Sequence, residues 1–499
     1  MDLKLQPART LKWNAIDRIA TQILYAVVGV VLANILSPEE FGLVGVLLIF
    51  QAFATILVDS GFGAALLREK EPTQKDYSTV FWFNLLISLI IYGVLYAAAP
   101  LISEIFQGKK VLIPMSKVMF LTFVINGAAI VQVNRLMKRM EVKMIAVANS
   151  AGLTLSGIVA IWLALRGAGA WALVWQNIIL ASVKTAILWT TGHWRPSICF
   201  SRQSLRKIRN VGLSIFSSSL LNTISLNIYN FVIGAFYNIS SLGVYTQADK
   251  WSKMGSASMS QILTSSFVPL LSKVQDSPQT FHRYVEKTAR FTSFILLPAM
   301  TLLAVMAAPI FHLLFGTKWD AAIPLFSILS VRGIFIVLIS LYSNYLLALG
   351  KAGNLFLSEA IKDGLIFIAI LATIFLRDIT WLIIGQLAAS VATWGILLPV
   401  TARPMNLSPA ALLRPMIPFA TATLAATAAA AGILLATPNI LPLDPLAPDL
   451  TQRIVANALI LTLQTLAGGG LYLLILRVSG VKELPEAKEY LLGRFRTKC

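Results

Sequence analysis

The stretch STVFWFNLLISLIIYGVLYAAAPLISE, residues 78–104, decides the class of fold. It contains no lysine or arginine, and its single acidic residue is Glu104 at the end. A helix needs about 20 mostly apolar residues to cross the hydrocarbon core of a bilayer, so this stretch predicts a transmembrane helix. The whole chain is similar, because 57% of its 499 residues are hydrophobic and 13% are charged. Soluble domains carry about 25% charged residues, and the sequence therefore predicts an all-α integral membrane protein.

Fourteen stretches of the chain are long and apolar enough to be membrane spans. They lie at about residues 15–36, 42–66, 78–104, 112–134, 145–165, 169–190, 211–236, 243–272, 289–314, 321–348, 355–376, 380–401, 415–437 and 453–476. The breaks between them are too short for a soluble catalytic domain, and the chain contains neither a nucleotide-binding P-loop nor a zinc-binding HExxH motif. We therefore expect no enzyme activity, no cofactor and no metal site.

The net charge of +19 follows from the membrane topology and does not indicate nucleic-acid binding. With fourteen spans, both termini lie on one side, and 28 of the 41 basic residues fall on that side. Only 6 fall on the opposite side, and the remainder lie within spans. Since cytoplasmic loops carry the excess of lysine and arginine, we predict that both termini are cytoplasmic.

The two halves of the chain repeat each other at an offset of about 200–210 residues. The matching pairs are Glu40–Val44 with Ser241–Tyr245, Ala98–Ile102 with Ala307–Phe311, Pro114 with Pro324, Asn134 with Asn344, Trp171 with Trp381, and Gln176 with Gln386. Six helices per repeat give two parallel lobes, an arrangement that in transporters places the substrate site at the interface of the lobes. The predicted parts are an N-lobe at 1–190, a cytoplasmic linker at 191–210, a C-lobe at 211–402, and two further helices with a basic tail at 403–499.

Cations outnumber acids within the predicted spans. The basic residues there are Arg18, Lys117, Lys184, Lys250, Lys253, Arg332 and Lys362. Each such residue costs about 2.5–3.5 kcal/mol at a helix centre, so it usually faces a partner or an aqueous cavity. Arg332 is the sharpest signal, because it lies near the middle of its helix. Fixed cations in a low-dielectric cavity repel each other unless an anion neutralises them, and the excess predicts a phosphate or carboxylate ligand.

Several of these cations also have a simpler structural explanation. Arg18 and Lys117 lie close enough to a helix end to extend to the headgroups. Lys253 is four residues from Asp249, and Lys362 is three residues from Glu359, so each can form a local ion pair. Lys184 is interpreted as an anchor near the cytoplasmic end of its helix.

Polar stripes mark the first helix of each half. Helix 1 carries Asn14, Arg18, Gln22 and Tyr25, and helix 7 carries Ser214, Ser218, Asn222, Ser225 and Tyr229. Residues three or four apart share one face of a helix. The two stripes therefore predict that both helices line one aqueous cavity.

Three segments in the first half carry a family resemblance. They are Phe41–Val44, Val58–Leu66 and Ser78–Asn84. The chain resembles the Wzx-type polysaccharide flippases and exporters of the MOP superfamily, most specifically over residues 36–106 and more loosely through helix 12. Leu242–Ala248 resembles the motif of the second lobe, in which an Arg-Ala pair often replaces Gln247-Ala248. That departure leaves one possible cationic ligand missing, and Lys250 is the expected substitute.

The resemblance implies two MATE-like six-helix lobes, plus two C-terminal helices, in the bacterial inner membrane. It implies translocation of an oligosaccharide linked to a polyprenyl pyrophosphate by alternating access, in a pathway with a polysaccharide polymerase and export machinery. The expected pyrophosphate ligands are Arg18, Lys250, Lys253 and Arg332, followed by Lys117 and Lys362. The expected sugar contacts are Asn14, Gln22, Asn222 and Tyr229, and the candidate carriers of a coupling ion are Asp17, Asp249 and Glu359.

Two other functions compete with a flippase. A multidrug/ion antiporter of the same superfamily would more often have an acidic cavity. A membrane polysaccharide polymerase usually needs a large extramembrane loop with carboxylates or arginines, and the sequence offers none.

Overall fold

A computed structural model describes residues 5–59, 61–440, 445–446, 449–481 and 483–485. All regular structure in these ranges is helical. The α-helices are α1 (Leu5–Ile35), α2 (Pro38–Asp59), α3 (Phe62–Arg68), α4 (Gln74–Ala97), α5 (Ala99–Ile105), α6 (Leu112–Met119), α7 (Leu121–Lys138), α8 (Val142–Leu165), α9 (Ala170–Thr191), α10 (Arg202–Phe236), α11 (Ile239–Ser272), α12 (Pro278–Val305), α13 (Ala307–Leu314), α14 (Ala322–Ala348), α15 (Ala352–Thr373), α16 (Ile379–Ala402), α17 (Pro409–Leu413), α18 (Ile417–Ile440) and α19 (Leu450–Val478).

Twelve segments of the described chain are long and apolar enough to cross a membrane, which confirms a multi-pass membrane protein. They coincide with twelve of the fourteen predicted spans. The other two, predicted at 243–272 and 355–376, correspond to α11 and α15. Both form helices of spanning length, with 34 and 22 residues, and each carries three charged residues: Asp249, Lys250 and Lys253 in α11, and Glu359, Lys362 and Asp363 in α15. Their crossing of the membrane stays a prediction.

The repeated Ala-Ala-Pro sequence breaks a helix in each half of the chain. The predicted span 78–104 divides at Ala98 into α4 and α5, and Pro100 lies at the start of α5. The predicted span 289–314 divides at Met306 into α12 and α13, with Pro309 in the first turn of α13. Proline lacks a backbone N–H and is therefore tolerated in a first turn, where that N–H has no helical partner.

The chain forms two compact units, residues 1–246 and 247–499. In the first, α8 packs on α1 and α9, and α10 packs on α2 and α3. Two glycines of the quoted motifs allow a very close contact there. A Cβ on Gly42 would lie 1.8 Å from the carbonyl oxygen of Ile239, and a Cβ on Gly243 would lie 1.8 Å from that of Pro38. Each glycine thus lets the first turns of α2 and α11 meet backbone to backbone.

The second unit has its core among α12, α14 and α16. Tyr342 and Tyr345 of α14 are fully buried there, and the hydroxyl of Tyr345 lies 2.7 Å from that of Thr288. The C-terminal helices α18 and α19 pack on each other, and α18 packs on α12. The hydroxyl of Tyr472 on α19 donates to the carbonyl of Phe294 at 2.7 Å. The lobe boundaries predicted from the repeat stay a prediction.

Candidate functional site

Two neighbouring cavities, each lined by polar and apolar side chains, lie in the first unit. One has a volume of about 360 Å³ and the other of about 320 Å³, and Asn126 and Lys184 line both. The first is also lined by Thr55, Val58, Asp59, Phe123, Ala129, Ile130, Val133 and Asn134. The second is also lined by Thr21, Tyr25, Gln51, Asn149, Leu153, Asn177, Leu180 and Ala181. We call this pair of cavities the amide cavity, because five side-chain amides line it.

Helical periodicity explains how the amide cavity forms. Four helices each contribute polar side chains separated by four, seven or eight residues, which share one face. The sets are Thr21 and Tyr25 on α1, Gln51, Thr55 and Asp59 on α2, Asn126 and Asn134 on α7, and Asn177 and Lys184 on α9, with Asn149 on α8 as a single addition. The polar faces of five helices therefore point into one space within the unit.

Asp17 hydrogen-bonds to two residues that line the amide cavity. Thr21 Oγ1 donates to Asp17 Oδ1 at 3.3 Å, and Asn149 Nδ2 donates to Asp17 Oδ2 at 3.3 Å. These bonds connect α1 with α8 and fix the carboxylate beside the cavity. Asp17 was expected from the sequence as a candidate ion carrier, and that role stays a prediction.

Several polar groups of the amide cavity have no protein partner. Within the described ranges, Asp59, Asn126, Asn134 and Lys184 make no side-chain hydrogen bond or ion pair, and the side-chain amide oxygen of Gln51 is buried without a donor. A polar atom kept from water, such as this oxygen, costs about 1–3 kcal/mol when it is unpaired. Water or a ligand must therefore satisfy these groups in the cavity.

The sequence reasoning did not find the amide cavity. Lys184 was interpreted as a headgroup anchor, yet it lines both cavities. The available signal was the spacing of Gln51, Thr55 and Asp59 on α2, matched by Asn126 and Asn134 on α7. Each pair or triplet is weak by itself, and only the packing of the helices shows that they face each other.

The predicted cations of the second unit differ in their partners. Arg332 Nε on α14 donates to Ser390 Oγ on α16 at 3.1 Å, and no described acid pairs with its guanidinium. Lys253 forms an ion pair with Asp249 at 2.6 Å, and Lys362 pairs with Glu359, so both local pairs anticipated from the sequence are present. Lys250 Nζ lies 5.5 Å from the ring centre of Trp251.

The predicted site residues of the first unit lie outside the lining of the amide cavity. Arg18 is exposed, and Lys117 lies over the ring of Tyr96 at 4.5 Å. The predicted sugar contacts differ in burial, since Gln22 is half-buried, Asn222 is exposed and Tyr229 is buried. The side chain of Asn14 lies outside the described residues. Substrate binding by these residues stays a prediction.

A further cavity of about 720 Å³ in the second unit lies where α12 begins and α17 and α18 meet. Arg290, which lines it, donates two hydrogen bonds to Glu483, a residue that follows α19. Burial raises the pKa of the Glu483 carboxyl, but the hydrogen bonds and charge of Arg290 outweigh this and bring that pKa below its ordinary value. This ion pair fastens the segment after α19 to α12.

The sequence is similar to a family of known proteins. The profile of the family described as "Polysaccharide biosynthesis protein" matches residues 31–324. The teichuronic acid biosynthesis protein TuaB of Bacillus subtilis is 25% identical over 74% of this chain and 77% of its own. The succinoglycan biosynthesis transport protein ExoT of Rhizobium meliloti is 26% identical over 70% of each chain.

Two solved structures share the fold. The lipid II flippase MurJ, in an inward closed conformation, superposes with a TM-score of 0.69 over 91% of this chain and 97% of its own, at 14% identity. An inward-facing MATE multidrug transporter of the MOP superfamily gives a TM-score of 0.55 over 79% of this chain and 96% of its own, at 17% identity. The chain therefore shares the fold of these two proteins.

Proposed function

Since the chain belongs to the family of polysaccharide biosynthesis proteins, we propose that it translocates an oligosaccharide linked to a polyprenyl pyrophosphate across the bacterial inner membrane. The relatives named for biosynthesis and transport of polysaccharides support this class of substrate, and the fold shared with MurJ supports a flippase. Both termini are cytoplasmic in this proposal, as the distribution of basic residues predicts. The protein works as a transporter by alternating access, without enzymatic chemistry.

The environment of Arg332 is the observation that best supports a diphosphate ligand. Its guanidinium lies within an apolar helix. Among the described residues it forms no ion pair with an acid, and its one hydrogen bond is donated to the hydroxyl of Ser390. An unpaired charge in such a position is unfavourable until an anion approaches. A guanidinium binds phosphate oxygens bidentately, so a diphosphate suits it as a transient partner.

The other proposed diphosphate ligands are Arg18, Lys117, Lys250, Lys253 and Lys362. Lys253 and Lys362 already pair with acids, and they reach a substrate only by exchanging Asp249 or Glu359 for it. Such an exchange leaves the carboxylate free to take up a cation. Asp249 and Glu359, together with Asp17, are therefore the proposed carriers if transport is coupled to an ion.

The test measures lipid-linked oligosaccharide in spheroplasts labelled with radioactive sugar. Without the chain, or with Arg332→Ala, the lipid-linked pool should build up on the cytoplasmic leaflet and the polymer should disappear, while the variant stays in the membrane at normal amount. Arg332→Lys keeps a charge but loses the bidentate contact, and it should retain part of the transport. Normal transport by Arg332→Ala would remove Arg332 from the site.

The MATE fold supports multidrug/ion antiport as a second candidate function. That function predicts resistance to cationic drugs upon overexpression and no change in the lipid-linked pool. Measuring both in the same strains separates the two proposals.

A further inference from the structure

We propose that the amide cavity of the first unit is a saccharide subsite, which holds a sugar of the substrate by its hydroxyl groups. The inference rests on the proposed function and extends it, because neither family membership nor the predicted cations point to this place. It assigns the sugar to residues other than the cationic ligands proposed for the diphosphate.

The chemistry of the lining fits hydroxyl groups. A hydroxyl both donates and accepts hydrogen bonds, and a side-chain amide offers two donors and one accepting oxygen. The amides of Asn126 and Asn134 are unused by the described protein, as are the carboxylate of Asp59 and the oxygen of Gln51. A sugar satisfies donors and acceptors that lie side by side, which a purely anionic ligand does not.

The fixed charges of the amide cavity also favour a neutral ligand. Its lining contains one lysine, Lys184, and one acid, Asp59, and Asp17 hydrogen-bonds to two lining residues. The positive charge is thus at least balanced by the two carboxylates. A diphosphate would meet these carboxylates as like charges, whereas an uncharged sugar would not.

The volume and the apolar surface of the amide cavity also suit a sugar. The two volumes, about 360 and 320 Å³, fall at the lower end of the range of about 300–1,000 Å³ that is usual for small-molecule sites. Phe123 and Tyr25 supply ring surface in the first and second cavity, respectively. The C–H face of a sugar packs on such rings while its hydroxyls reach the amides.

The test uses the full-length purified protein with Cys199→Ser and Cys499→Ser, so that one introduced cysteine reports on the amide cavity. Val133→Cys and, separately, Leu180→Cys place it in the lining of the first and the second cavity, and neither change removes an amide or carboxylate that the proposal assigns to the sugar. The matched control is Asn34→Cys, since Asn34 is exposed on α1 and donates to the carbonyl of Val30 at 2.9 Å. The rate of alkylation by a small water-soluble maleimide is measured.

Two probes are added in turn. One is the free repeat-unit saccharide, released by mild acid from the lipid-linked pool of the producing cells, and the other is inorganic pyrophosphate. At a saccharide concentration that occupies about 90% of the sites, we expect alkylation at 133 and 180 to slow about tenfold, because only the empty site reacts. We expect pyrophosphate to leave both rates unchanged and neither probe to affect the control position.

Protection by pyrophosphate alone, or by neither probe, would overturn the saccharide subsite. Transport in cells separates this result from the proposed function. If the lipid-linked pool accumulates without the chain but the saccharide fails to protect, the subsite is wrong and the flippase stands. If the pool is unchanged without the chain, the flippase itself is wrong.

Discussion

Replacing Gly42 by alanine tests whether the glycines of the repeated motif act through packing. The added Cβ would lie 1.8 Å from the carbonyl oxygen of Ile239 and 2.7 Å from its carbonyl carbon. Atoms at ordinary contact lie about 3.5–4.0 Å apart, so the first turns of α2 and α11 must separate by well over an ångström. The obstacle is backbone, which cannot turn aside as a flexible side chain does.

Two opposing effects determine how much Gly42→Ala changes the free energy of unfolding. Alanine in place of glycine favours a helix by about 1 kcal/mol. Overpacking a well-packed contact costs about 1–3 kcal/mol and occasionally more, and a clash with backbone belongs at the upper end. We therefore expect Gly42→Ala to lower the free energy of unfolding by about 2 kcal/mol or more, after the gain in helix propensity is subtracted.

The assay is the apparent melting temperature of the full-length protein in detergent, read by size-exclusion fluorescence after heating. The control is Gly93→Ala in α4, where a Cβ would meet no atom within 4 Å. This control should be as stable as the wild type or slightly more stable. Gly243→Ala should resemble Gly42→Ala, because its Cβ would lie 1.8 Å from the oxygen of Pro38. Equal melting temperatures for Gly42→Ala and Gly93→Ala would refute the packing explanation.

Two further predictions concern the second unit. Glu483→Gln should lower the melting temperature at pH 7 by the equivalent of about 1–3 kcal/mol, since the Arg290–Glu483 pair is partly buried. Because the pKa of Glu483 is lowered in the folded state, this stabilisation is present above the unfolded pKa of 4.5 and is lost as the pH falls through the folded pKa. The melting temperatures of wild type and variant should therefore converge in a series of increasingly acidic buffers. Tyr345→Phe should cost about 1 kcal/mol, because it removes the 2.7 Å hydrogen bond with the buried hydroxyl of Thr288, which keeps only its bond to the carbonyl of Val285 at 3.0 Å. A matched Tyr→Phe change at the exposed Tyr96 should cost nothing measurable in the same thermal assay.

Composition and apolar length sufficed to predict the membrane class and twelve of the spans, because crossing a bilayer imposes a length and an apolar surface on each helix by itself. The orientation of each helix is not imposed in this way. The predicted polar stripe of α1 includes Arg18, Gln22 and Tyr25, and of these three only Tyr25 lines the amide cavity. The structure instead turns Thr21 toward the cavity, and Asn149 of α8 meets Asp17. That choice depends on the partner helix, which lies 132 residues away along the chain.

The same distinction applies to Lys184, whose distance from the end of α9 suggested a headgroup anchor. The sequence shows how far a residue lies from the end of its helix. The neighbour that its side chain faces depends on how the helices pack. The neighbouring α7 presents Asn126 and Asn134 to the side of α9 that carries Lys184. A lysine surrounded by amides within a bundle has a polar environment of its own and need not extend to the membrane surface.

Helices α11 and α15 each carry three charged residues, and the pairing of some of these charges explains how both helices still suit a membrane. In each, a lysine pairs with an acid one turn away, Lys253 with Asp249 and Lys362 with Glu359. Pairing of this kind replaces two separate charges by a dipole, and it removes much of the penalty of about 2.5–3.5 kcal/mol that each charge would carry at a helix centre. Helices with such pairs fit best where one face meets protein or water and the other meets lipid. Exposed Phe356, Phe367 and Leu371 give α15 the apolar face that this position requires. The fourteen-span prediction is therefore consistent with the side-chain chemistry of both helices, because a count of charged residues does not register that some of them are paired.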